Sequence, residues 1–305
     1  RIWVDRENVD PTADLKDIMD EMDLLGAKVG VEYDTHGLTA ANGMLLQARM
    51  QAFARLADAS HIISNLRLIK SQEEITYVRK AAALADDAFD AALATASPGA
   101  NEGPILAAMH NAIFEGGGDY PGNEFIIGSG RDALLCRYKS GRRTLDEQDQ
   151  LTLEWAGTFA HYHAAMMQTI PVGEPTALHK ELHSAAREAL EQIEAAMQPG
   201  DEDNPSTLGD LFSIHTRVLD SAGLAQHRLN ACGYALGARF TPSWMEKQMI
   251  YADNSTKIVP GMVLFIHMII MDSDTETAMT LGRSFLTTEG AAEPLSCHDL
   301  SLKTV

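Results

Sequence analysis

From residue 124 onward, strand-like stretches come in runs and helical stretches come in a pair, and that order restricts the fold most. Strand-like runs at 124–127, 151–155 and 158–172 come first. Apolar residues at helical spacing then cover 176–197 and 207–223, split by Pro199 and Gly200. Strand-like runs return at 228–240, 262–271 and 277–287. An earlier helix pair precedes them. Ser71 and Glu74 form a capping box, which opens a helix to about residue 96, and a second helix spans 103–114 before three glycines. Runs of strands and pairs of helices predict an α+β domain: a mixed or antiparallel sheet covered by helices. Residues 200–206, rich in Asp, Asn and Pro, read as a surface loop.

The chain before this domain reads differently. A helix at 13–26, a strand at 28–34, a helix at 39–56 and a strand near 61–63 predict a smaller α/β domain, too short to be complete. The expected division is 1–67 and 68–305, joined at 65–71. Residues 1–5 read as the middle of a domain, so an upstream stretch is expected.

Net charge narrows the partners. With 24 basic and 43 acidic residues the formal charge is −19, which argues against nucleic acid and against anionic membrane surfaces. Three widely spaced cysteines and no CxxC pair point to a reducing, cytoplasmic compartment. The longest apolar run, 261–271, is too short to span a bilayer and contains His267.

Four segments in order resemble one family. Residues 68–80 resemble the segment that opens the pita-bread catalytic domain of the creatinase, prolidase and methionine aminopeptidase family. Residues 128–142 resemble the stretch bearing that family's substrate-side His. Residues 161–169 resemble its Gly-Tyr-x-x-Asp-x-x-Arg-Thr strand, and 259–267 its Pro-Gly-Met-x-x-x-x-Glu strand. The resemblance implies a pita-bread fold over 68–305, a hydrolase activity and a homodimer.

It also implies a metal site that this chain has lost. The family uses two Asp, one His and two Glu, donors suited to a pair of divalent ions. Those positions fall on Glu154, Ala165, Tyr234, His267 and a place near Thr280 or Leu281. The expectation is therefore no metal cofactor, or at most one divalent ion rebuilt from Glu154, His163 and His267. Creatinase works without metal, but its catalytic His falls on Arg137 here and its Glu on Met167. The run 233–244 looks more like ectoine hydrolases, another branch.

Alternation along a strand would put His161, His163 and Ala165 on one face. His163 is then the preferred general acid or base, with His161 and His267 as its rivals. Each could instead be a hydrogen-bonded structural histidine. Glu154 could orient an imidazole or act as a base, or simply pair with an arginine. Arg137 suits a substrate carboxylate held by a two-pronged hydrogen bond, and a loop ion pair is its alternative. Tyr234 could donate to an oxyanion or merely pack. Cys232 reads as buried structure and Met166, Met167 and Met268 as core or cavity wall.

The favoured function is hydrolysis of a C–N bond, amide or amidine in kind, in a small carboxylate-bearing metabolite. The alternatives are an Xaa-Pro dipeptidase with a rebuilt metal site, a lyase on a small zwitterion, and an inactive binding protein.

Overall fold

The computed structural model describes residues 10–136 and 141–305. Residues from Arg67 to Val305 form one compact unit and the residues before them another.

The first unit contains α1 (Pro11–Glu21), β1 (Lys28–Val31), α2 (Ala40–Met50) and β2 (Arg55–Asp58), and α3 (Ile62–Leu68) leads out of it. The Asp10 side chain accepts from the Thr12 N–H and caps α1. β1 and β2 pair in parallel, with Lys28 opposite Arg55. The strand expected near 61–63 is instead the start of α3. The helical pattern read through residue 56 overran, because α2 stops at Met50 and the chain turns so that Phe53 and Ala54 pack with Met19 and Met50.

The second unit opens with α4 (Gln72–Thr95) and α5 (Glu102–Glu115). The capping box is present on both sides: Ser71 Oγ accepts from Glu74 N, and Glu74 accepts from Ser71 N. Then come β3 (Ile126–Ser129), β4 (Asp149–Phe159), β5 (Tyr162–Val172), α6 (Ala177–Ala196) and α7 (Leu208–Ser221). The last elements are β6 (Gly233–Leu236), β7 (Met245–Met249), β8 (Val263–Asp272), β9 (Thr277–Leu286) and the short β10 (Glu293–Pro294). The strand order is β3-β4-β5-β9-β8-β6-β7, with β10 on β9, and every pairing in this sheet is antiparallel. The expected α+β sheet with helical cover is present.

The helices cover one face. Trp155 points at α4 and its indole N–H donates to Ala85 O at 2.8 Å. Gly157, two residues on, allows α4 to lie directly on β4: a Cβ there would sit 1.9 Å from Ala81 O. Further along the sheet, Leu264, Ile266, Met268 and Leu281 pack with Leu182, Ala186 and Leu190 of α6. By alternation, the opposite face carries Glu154, Ala165, Met167, Gly282, His267 and Tyr234. The sheet curls around this face.

Two strand boundaries differ from expectation. The run 158–172 contains a turn: Ala160 and His161 have φ of 49° and 62°, joining β4 to β5 in a two-residue hairpin. His161 is therefore not on the strand face with His163 and Ala165. The run 228–240 keeps only β6 as strand, and its neighbour β7 was missed because Met-Glu-Lys-Gln-Met has little β signal and sits at the sheet edge.

Candidate active site

One row of side chains crosses the inner face. Glu154 stands opposite Met167, Met167 opposite Gly282, and Gly282 opposite His267. Glu154, Met167 and His267 are all buried. The curl of the sheet brings β6 over this row. Tyr234 on β6 donates its phenol proton to Glu154 Oε1 at 3.0 Å, and the Trp244 indole N–H donates to the Tyr234 oxygen at 2.8 Å. The ring of Tyr234 lies edge-on to Phe265 at 5.2 Å, and its centroid is 5.9 Å from that of His267. The structure thus brings Glu154, Tyr234 and His267 together, and adds Trp244, which nothing in the sequence singled out for this role.

Tyr234 is committed. Its hydroxyl gives its one proton to Glu154 and takes one from Trp244. In this geometry it holds the carboxylate in place and does not offer a donor to a developing oxyanion.

His163 is also committed. Gly122 N–H donates to Nε2 at 2.9 Å, which fixes the tautomer, and Nδ1–H faces Gly237 O at 3.3 Å. Burial lowers its pKa from the usual imidazole value to about 4, with the Gly237 carbonyl opposing that shift. A neutral ring with both nitrogens on backbone braces the hairpin end of β5 against the loops at Gly122 and Gly237. It has no spare lone pair for a cation. The ring of His161, in the turn, lies tilted against Phe240 at 4.4 Å, a residue 65 % exposed, and the His161 backbone N–H donates to Asp119. Arg137 lies outside the described residues.

Ala165 carries no ligand atom, and the space beside it is used otherwise. The Ser284 hydroxyl accepts from Ala165 N and donates to Ala165 O, both at 2.9 Å, bridging β5 and β9 just beyond their last ladder pair. The resemblance implies the family's second Glu near Thr280 or Leu281. Leu281 faces α6, and the residue opposite His267 is Gly282. A Cβ at Gly282 would lie 3.0 Å from both His267 Cβ and Phe265 Cε2, so the neighbours have closed over that place. Thr280, on the same face, shares a hydroxyl ladder with Thr169 and Thr152 at 3.0 and 2.8 Å.

With this geometry in hand, comparison with known proteins is decisive. The sequence model of metallopeptidase family M24 matches residues 76–289. The chain belongs to metallopeptidase family M24. An ectoine hydrolase from Halomonas elongata is 27% identical over 278 residues, covering 88% of this chain and 67% of that protein. An Xaa-Pro dipeptidase from Pyrococcus furiosus is 25% identical over 220 residues, 72% of this chain and 60% of that one. Among solved structures, an X-Pro aminopeptidase from Thermotoga maritima superimposes with a TM-score of 0.86 at 18% identity, covering 97% of this chain and 79% of that one. The prolidase from Pyrococcus furiosus gives 0.82 at 22%, covering 96% and 81%. The fold is the pita-bread fold of these peptidases, and the relatives place this M24 chain among the family's hydrolases.

The family's divalent ions do not fit these residues. Of the five positions, Ala165 offers no donor atom, the Tyr234 hydroxyl donates to Glu154, and none of Thr280, Leu281 and Gly282 is acidic. Glu154 and His267 are the two ordinary ligand types left, fewer than a pair of ions requires. Among the described residues no helix is long and apolar enough to cross a membrane.

Proposed function

We propose that this chain hydrolyses a C–N bond, amide or amidine in kind, in a small carboxylate-bearing metabolite, and does so without a pair of divalent ions. The observation that carries the reading is the Tyr234–Glu154 hydrogen bond, a proton shared where two metal ligands would otherwise face each other. The ectoine hydrolase relative supports the substrate class.

The chemistry then falls to this chain's own groups. His267 takes the proton of an attacking water and returns it to the leaving nitrogen, so that a C–O bond forms as the C–N bond breaks. Glu154, oriented by Tyr234, stabilises the charged imidazole or positions the water. Arg137 keeps the role its place in the sequence suggests, a two-pronged grip on the substrate carboxylate. His163 drops out of proton transfer and out of any rebuilt metal set, since both its nitrogens are engaged. We further infer a cytoplasmic homodimer, which sedimentation at micromolar concentration would check.

The test is a panel of cyclic amidines, N-acyl amino acids and Xaa-Pro dipeptides, assayed with and without chelator. The reading expects turnover of a non-peptide member that survives chelation. Cleavage confined to Xaa-Pro dipeptides and dependent on added manganese or cobalt would overturn it in favour of a dipeptidase.

A further inference from the structure

We propose that Asp86, Cys297 and His298, with Asp90 beside them, bind one soft divalent cation such as zinc on the helix-covered side of the domain. One donor atom from each of Asp86, Cys297 and His298 lies within 4.8 Å of the other two. Among the described residues this is the one such group of three or more His, Cys, Asp or Glu side chains. Asp90 Oδ1 is 3.4 Å from His298 Nε2, a spacing typical of two donors on one small ion.

The architecture aims these groups at one point. Asp86 and Asp90 are one turn apart on α4, so their carboxylates leave the same helix face. Cys297 and His298 arrive on the segment after β10. The Phe89 ring meets His298 edge-on at 5.0 Å and fixes the imidazole plane. His298 Nε2 is shielded from solvent yet makes no hydrogen bond. Asp86 accepts from Ser296 Oγ through Oδ1 and from Cys297 N at 2.8 Å through Oδ2, and the Cys297 thiol hydrogen-bonds the same carboxylate through a proton that an ion taken up between sulfur and carboxylate would displace. Cys297 is exposed, which gives an ion a way in.

The donor set selects the ion. A thiolate, an imidazole and carboxylate oxygens suit tetrahedral zinc, whereas calcium and magnesium take oxygen alone. On binding, the Cys297 S–H bond breaks, a sulfur–metal bond forms and the proton goes to solvent. The ion would tie the 295–298 segment to α4. This site is separate from Glu154 and His267 and does not rest on the proposed reaction.

The experiment uses the whole chain, stripped with chelator and then dialysed against zinc or cobalt. One cation per chain is expected, and the cobalt form should show a thiolate-to-cobalt charge-transfer band. C297S should abolish the band, and C297S and H298Q should each weaken zinc binding at least about tenfold. H267Q should leave it unchanged. Because a variant could fold poorly, the wild-type protein supplies a second readout. Zinc should slow iodoacetamide labelling of Cys297, followed by peptide mass, by at least about tenfold. No retained cation, binding indifferent to C297S, or an unaltered labelling rate would overturn the proposal.

Discussion

Tyr234 donates to Glu154 across the hollow of the sheet, from β6 to β4, two strands that are not neighbours in the ladder. Glutamate is longer than aspartate and a phenol longer than an imidazole, so the two side chains meet directly. Trp244 completes the chain of donors. The site has kept its polar character while changing what fills it.

Tyr234→Phe tests this bridge. It removes one donor to a buried carboxylate and one acceptor for the Trp244 indole. The expected cost is about 1–3 kcal/mol of stability, read from the denaturant midpoint. A double-mutant cycle with Glu154→Gln should show coupling of more than about 0.5 kcal/mol. Additive effects would mean that the hydrogen bond is energetically idle.

The two buried histidines should separate. His163→Gln cannot reproduce contacts to Gly122 and Gly237 at once, so its main effect should be on stability, by about 1–3 kcal/mol. His267→Gln should remove turnover while leaving the melting temperature and ligand binding close to wild type. Turnover lost in the folded His163→Gln protein but kept in His267→Gln would move proton transfer back to His163.

Gly282→Ala asks whether the hollow has closed over the missing acid. The new methyl would meet Ile266 O at 2.9 Å and His267 and Phe265 at 3.0 Å. Overpacking of this kind costs about 1–3 kcal/mol. A neutral result in thermal unfolding would mean that Phe265 or His267 gives way easily, and that a carboxylate could be reinstated there.

The sequence carried the architecture further than the site. The capping box at Ser71, the two helix pairs and the runs of β8 and β9 follow from local periodicity and capping, which report on short stretches of chain. The β4–β5 turn was hidden because Ala160 and His161 are poor turn markers, and missing it placed His161 on the wrong surface. The commitment of His163 could not be read either, since its partners Gly122 and Gly237 are backbone groups distant in sequence. Resemblance located Glu154, Tyr234 and His267, but only the curl of the sheet reveals that Tyr234 and Glu154 touch. Gly282 went unnoticed because register, which sequence spacing does not fix between β8 and β9, decides which residue opposes His267.

The last prediction concerns acid stability and His215 on α7. Its ring is fully buried, 5.4 Å from Phe212, and neither nitrogen has a hydrogen-bond partner. Burial lowers its pKa to about 4, the charge of Arg228 adds to the fall, and Asp220 opposes it. The unfolded chain titrates this imidazole near its ordinary value of about 6.5. Between those values the unfolded state binds a proton that the native state refuses, so stability falls as pH drops from about 6.5 to about 4. At about 1.36 kcal/mol per pKa unit, the loss from this residue over that whole range is on the order of 3 kcal/mol. His215→Leu should keep the packing, remove the titration and flatten that part of the stability curve. Urea midpoints of both proteins at pH 8 and pH 5 make the comparison. The wild type should lose more on acidification than the variant. Parallel losses would show that His215 takes up its proton in the folded state, through water or a shift of α7.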